Sequence, residues 1–185
     1  MEVIEAIRQR RAVREYTDQL VDRAVIERLI GEAILAPSAM NLQPWAFAVQ
    51  LDRKRISEYA QQVKDWLLVN SPKASIDPRL RQMMQSEGYS VFHDAPALVL
   101  VLAKSSQSQA SEDCCLAAEN FMLAARDEGI GTCCIGLSRP WLNLTSTKDQ
   151  LGLPRAYEVV IPIAAGYPKA WPDFHGRNPA VIHWL

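Results

Sequence analysis

Residues 36 to 51 read Ala36-Pro-Ser-Ala-Met-Asn-Leu-Gln-Pro-Trp-Ala-Phe-Ala-Val-Gln-Leu51 and join two periodicities across a break. In the second half, Trp45, Phe47, Val49 and Leu51 alternate with Ala46, Ala48 and Gln50, which is the period of a strand. Upstream, Val25, Ile26, Leu29, Ile30, Ala33 and Ile34 recur at helical spacing behind Asp22, a plausible N-cap, and Pro37 ends the helix. Between them lies a loop of two prolines, a serine, an asparagine and a glutamine. A helix therefore feeds a strand through residues 37–44, and the chain mixes both element types.

Outward from that stretch, Val3, Ile4 and Ile7 predict a short amphipathic helix that runs into Arg8, Arg10, Arg11 and Arg14. Residues 53–69 are again helical and mostly polar, whereas 71–88 show no clear period. The continuous apolar run Pro96 to Ala103 predicts a strand covered on both faces and central in a sheet. A long helix of small apolar residues is expected from Ser111 to Glu128, with Gly129 as its stop. Two short strands follow, Gly131 to Gly136 and Glu158 to Ala165, and Pro162 predicts an edge position or a bulge for the second. The alternating tail Ala180 to Leu185 either closes its own sheet or adds a strand to a partner. No repeat or low-complexity linker divides the chain, so one α+β domain over residues 1–185 is expected.

Composition narrows the function classes. With 20 Lys and Arg against 21 Asp and Glu, a net charge of −1 gives no global drive toward nucleic acid or anionic membranes. The N-terminus carries Glu2 and Glu5 rather than a basic and then apolar leader, and no apolar run is long enough to span a bilayer, so a cytoplasmic location is expected. The four cysteines form two adjacent pairs, Cys114-Cys115 and Cys133-Cys134; neighbouring side chains point apart, so no zinc site and no other metal site is expected. The glycines of Gly129-Ile-Gly-Thr-Cys-Cys-Ile-Gly136 follow a helix and precede a strand, the reverse of a dinucleotide-binding fingerprint. There is no Walker A sequence and no nucleophile elbow, and nothing in sequence places His93, His175 or His183 beside a cysteine.

Cations at a helix C-terminus are stabilised by the helix dipole and need no ligand, which is the plain reading of Arg10, Arg11 and Arg14. Arg177, alone in a Pro- and Gly-bounded tail, and the amide-bearing loop at 37–44 weaken it. Together they suggest an anionic, partly flat cofactor.

Arg10-Arg-Ala-Val-Arg14, Pro37-Ser-Ala-Met-Asn41-Leu-Gln43-Pro44-Trp45, Asp94-Ala-Pro96, Gly129 to Gly136, Leu153-Pro154, Gly166-Tyr-Pro168 and His183-Trp184, in this order and spacing, resemble the FMN-dependent nitroreductase family from end to end. The resemblance implies a mainly antiparallel central sheet flanked by helices, in an interwoven homodimer with FMN at the interface. It implies that Arg10 and Arg177 hold the FMN phosphate, that Arg11 and Ala12 lie along phosphate and ribityl chain, and that Arg14 faces the pyrimidine edge, where reduction builds negative charge. Pro37, Ser38, Ala39 and Asn41 would reach the isoalloxazine from the partner subunit, and the main chain around Cys134, Ile135 and Gly136 would point at N5 and O4. Ala12 and Ala39 stand where family members commonly carry serine, and His175 where a second basic residue near the phosphate is common.

By the same resemblance the chain is an oxidoreductase that takes hydride from NADH or NADPH and passes electrons to a small acceptor, a nitroaromatic or quinone, by ping-pong turnover. No side chain is then strictly required as acid or base, because the flavin carries the chemistry. The scaffold also supports dehalogenation, flavin fragmentation and peptide-ring oxidation, and a flavin carrier without turnover is the alternative from another class.

Overall fold

The computed structural model describes residues 1–72, 77–105 and 107–185. Its elements are α1 (Val3–Gln9), α2 (Arg23–Ala33), β1 (Trp45–Gln50), α3 (Arg53–Asn70), α4 (Pro78–Gln85), β2 (Ala97–Ala103), α5 (Ser108–Asp127), β3 (Gly131–Cys134), α6 (Arg139–Leu142), α7 (Thr145–Leu151) and β4 (Glu158–Gly166). The strands form one antiparallel sheet in the order β1-β2-β4-β3. Within the stretch without a readable period, Asp77 accepts from the Arg79 and Leu80 amides and Pro78 starts α4, so the cap writes that helix; residues 73–76 lie outside the described residues.

The apolar run at 97–103 is central and buried along its whole length. Its alternation splits the core. Ala97, Val99, Val101 and Ala103 pack with Leu29, Ala117, Ala118 and Phe121 of α2 and α5, while Leu98, Leu100 and Leu102 pack with Ile56, Val63, Phe92 and Trp141 on the other face. Strand β1 obeys the same rule, with Trp45 and Phe47 on the first side and Ala46 and Ala48 on the second. Alanines on both β2 and α5 let the helix lie close to the sheet.

Several expectations shift. Helix α5 begins at Ser108, three residues before its expected start; it ends as expected, with Gly129 left-handed at φ 77° and the Ile130 amide donating to the Ala125 carbonyl at 2.7 Å. Asp22 does precede α2, but its side chain caps no amide.

Pro162 does not put its strand at an edge: β4 is internal, between β2 and β3. Nor does it make a bulge at its own position: Pro162 pairs in register with Leu100, and the irregularity of β4 lies opposite Val101/Leu102, where Val160 has no partner. The absent Pro162 N–H is accommodated on the β3 side. Pro162 still accepts from the Ile135 amide at 2.8 Å, and the Ile135 carbonyl, which an ordinary residue at 162 would use, instead takes the Ser138 amide at 3.0 Å and its hydroxyl at 2.7 Å. The tail does not close its own sheet: residues 180–185 pair with no strand among the described residues, and Val181, Ile182 and Trp184 are exposed.

Candidate functional site

The arginine segment is fixed to the sheet by its backbone. After α1, Ala12 bridges Thr132 in parallel, and the Val13 amide donates to the Thr132 carbonyl at 3.0 Å. Val13 is fully buried against Gly131, where a built Cβ would lie 2.6 Å from Val13 Cγ2. Glycine at 131 is thus required by space: the arginine segment crosses β3 where only a hydrogen fits. Tyr16 locks the next turn, its hydroxyl donating to the Val13 carbonyl at 2.7 Å and reaching the Ala164 carbonyl at 3.3 Å.

The far end of the chain is drawn to the same place. The Thr17 amide donates to the Tyr167 carbonyl at 2.8 Å and the Lys169 amide to the Glu15 carbonyl at 3.0 Å, with a further bridge from Tyr16 to Pro168. Arg177 therefore joins Arg10, Arg11 and Arg14 despite the separation in sequence.

The four arginines line a cavity of about 500 Å³ with Ala12, Glu15, His175 and the tail segment Ala170, Trp171 and Pro172. Four guanidinium groups face one lining carboxylate, Glu15, so the cavity is cationic whatever the state of His175. Arg10 has an ion-pair partner outside the lining, Glu119, at 3.4 Å. Among the described residues, no ion pair engages Arg11, Arg14 or Arg177. Arg11 donates to the Arg8 and Arg10 carbonyls at 2.7 and 2.8 Å, which satisfies the end of α1 as the dipole reading expects. Its Nε, however, is buried without a hydrogen-bond partner. A donor left unpaired beside a cationic cavity marks where an anion would be favoured.

Aromatic faces hold what carboxylates do not. The Arg11 and Arg177 guanidinium carbons lie 4.8 and 5.7 Å from the Phe174 ring centroid. Arg126, on α5, stacks 3.7 Å from the Trp171 centroid and donates to Gln9 at 2.6 Å. Arg14 extends toward β3. Burial pushes the Cys133 thiol up and Arg14 pulls it back, while burial and Arg14 together lower His93, which Asp94 only partly offsets.

The sequence-predicted residues thus fall into two groups. Arg10, Arg11, Ala12, Arg14, His175 and Arg177 meet at one cavity. Pro37, Ser38, Ala39 and Asn41 do not line it: they form a tight turn over residues 39–41 against the start of α5. Both carboxylate oxygens of buried Asp113 accept from the Ala39 amide, at 3.2 and 3.3 Å, and Ser38 Oγ accepts from Gln43 N–H at 3.0 Å. Met40, Asn41 and Gln43 all have positive φ, near 50°, so this loop is held in a shape its residues do not favour.

Cys134, Ile135 and Gly136 end β3 outside the cavity lining, with Cys134 and Gly136 exposed. Since the Ile135 amide is engaged by Pro162, an outward main-chain contact from this turn falls to Gly136 instead. Trp171, Phe174, Arg126 and Asp113 are the residues that sequence reasoning missed. For the two aromatics the available signal was large rings beside Arg177 in an otherwise polar, Pro-rich tail.

The family model for the nitroreductase family matches residues 7–167. The chain belongs to the nitroreductase family. A nitroreductase-family relative in Archaeoglobus fulgidus, named for NADH dehydrogenase and NAD(P)H nitroreductase, is 30% identical over 190 residues, covering 98% of this chain and 97% of its own. The crystal structure of a nitroreductase with bound FMN from Bacteroides fragilis superposes with a TM-score of 0.86 at 27% identity, covering 100% of this chain and 99% of the other. An iodotyrosine deiodinase of Thermotoga neapolitana is 26% identical over 160 residues, 80% of this chain and 79% of its own. The helix-flanked antiparallel sheet expected for a nitroreductase is the fold observed.

Proposed function

We propose that this chain is an FMN-dependent NAD(P)H oxidoreductase that reduces a nitroaromatic, quinone or similar small acceptor. The observation that carries the reading is the cationic cavity, in which Arg10, Arg11, Arg14 and Arg177 meet at a fold shared with an FMN-bound nitroreductase. The donor set fits a phosphate monoester: planar forks free of carboxylate partners at three of the four arginines, and an unpaired buried Arg11 Nε. FMN held there supplies hydride transfer between NAD(P)H and the acceptor in turn.

The chain's own residues bind and orient. Arg10 and Arg177 hold the phosphate, Arg11 and Ala12 line its approach, and His175 adds a neutral or cationic donor. Arg14 sets a fixed positive charge where reduction builds negative charge, a preorganised stabilisation that needs no proton transfer. Gly136 offers main chain, and Cys134 and Ile135 position it.

Pro37, Ser38, Ala39 and Asn41 lie away from the cavity of their own chain, which supports a homodimer in which they complete the partner's site. The exposed apolar face of α1, with Val3, Ile4 and Ile7, supports it too. So does the tail: one sheet edge is taken by the Ala12 bridge to β3, and β1 is the other edge, open to a partner's residues 180–185. A single domain over residues 1–185 then makes half of each site.

The test is the absorbance of the purified protein, with any released cofactor identified by mass. Replacing Arg10 and Arg177 together by Ala should weaken FMN binding about a hundredfold or more, since a hydrogen bond to a charged group contributes roughly 1.5–3 kcal/mol. Unchanged flavin content in that variant would sink the assignment. The deiodinase relative favours a second reading, specialised flavin chemistry on the same site. Fast turnover with NAD(P)H and a quinone would count against it, and bound flavin that NAD(P)H does not bleach would indicate a carrier.

A further inference from the structure

We infer that Phe174 is the residue that sets selectivity for a phosphorylated over an unphosphorylated flavin, by holding Arg11 and Arg177 in place with no carboxylate on either guanidinium group; beyond the ring, among the described residues, Arg11 Nη1 donates only to the Arg8 and Arg10 carbonyls and Arg177 Nη1 to the Gly176 carbonyl. The inference rests on the flavin reading above. Two guanidinium groups brought to one ring, at 4.8 and 5.7 Å, repel each other, and something must hold them while no anion is bound. A carboxylate could do so, but it would occupy the same N–H edges that a phosphate needs and would compete with it. The face of an aromatic ring attracts the cation through its quadrupole and takes no N–H edge.

The surroundings agree with that division of labour. Neither arginine has an ion pair among the described residues, whereas Arg10, which has no cation–π contact among them, is paired with Glu119. The tail that carries Phe174 is itself pinned three residues earlier, where Trp171 stacks on Arg126 at 3.7 Å. Phe174 is 61% exposed, so its ring is not a core element and its removal leaves the fold standing.

The experiment compares FMN with riboflavin on the wild type, Phe174→Ala and Phe174→Tyr, following flavin fluorescence. A cation–π contact at an exposed site contributes about 0.5–1 kcal/mol, so Phe174→Ala should raise the FMN dissociation constant roughly fivefold to thirtyfold for two arginines released. Riboflavin affinity should stay within about twofold, because Arg177 meets only the phosphate and Arg11 meets the rest of the flavin only at the ribityl chain, and Phe174→Tyr should restore the wild-type ratio. Equal losses for FMN and riboflavin, or an unchanged FMN constant in Phe174→Ala, would overturn the inference.

Failure of the flavin reading looks different: the wild type itself would bind neither flavin, or both alike. Inorganic phosphate, measured by its shift of the thermal midpoint, then tests the aromatic hold alone. A shift smaller in Phe174→Ala than in the wild type supports it, and equal shifts refute it.

Discussion

Gly131 shows how one missing side chain sets the position of several charged ones. A Cβ there would meet Val13 at 2.6 to 2.8 Å, and Val13 is the residue through which the arginine segment hangs on β3. Gly131→Ala should destabilise the protein by about 1–3 kcal/mol through overpacking, measured by urea unfolding, and should weaken anion binding because Arg11 and Arg14 move with Val13. A second residue-scale prediction concerns pH. Burial first, then neighbouring Cys115, Asp113 and Glu158, push the Cys114 thiol from 9.0 to about 12. The folded state therefore holds this proton more tightly than the unfolded one. Its contribution is fully present below pH 9 and is lost as pH rises toward 12. Cys114→Ala should flatten the alkaline fall in stability; an identical slope would show that another group governs it.

At the scale of elements, the sequence was most legible where periodicity and punctuation coincide. The run at 97–103 alternates between two faces that are both covered, and Gly129 ends α5 as a left-handed stop. Pro162 misleads for a physical reason. A proline is excluded from a central strand only if its absent N–H leaves a carbonyl orphaned, and here Ser138 takes over the Ile135 carbonyl. The same substitution ends β3 and starts the turn at 136–138, so the proline writes the end of its neighbour rather than its own. Helix α4 was unreadable from its apolar pattern, because a short polar helix has little face to bury and is set by its Asp77 cap instead.

For the whole molecule, the apolar tail and the apolar face of α1 are both exposed on the single chain. A surface of that kind on a chain whose predicted site residues fall in two separate places argues for assembly. Deleting residues 180–185 should leave the far-ultraviolet spectrum of the chain intact while converting a dimer into a monomer in sedimentation. If, as proposed, the 37–41 loop of one protomer completes the cavity of the other, flavin content should fall with the dimer. A truncated protein that stays dimeric and yellow would show that the tail does not hold the assembly.

The sequence by itself determined the central strand and the longer helices and nominated the candidate site residues, because these depend on period, punctuation and residue chemistry that lie close together in the chain. Only the tertiary structure decided that Arg177 meets Arg10, Arg11 and Arg14, through backbone pairing between residues 12–17 and 167–169. It alone showed that an aromatic ring rather than a carboxylate lies against Arg11 and Arg177, and that the loop at 37–41 lies away from the cavity of its own chain. Contacts between residues so far apart leave no local periodicity to read, since they are set by how the sheet brings the two ends of the chain together.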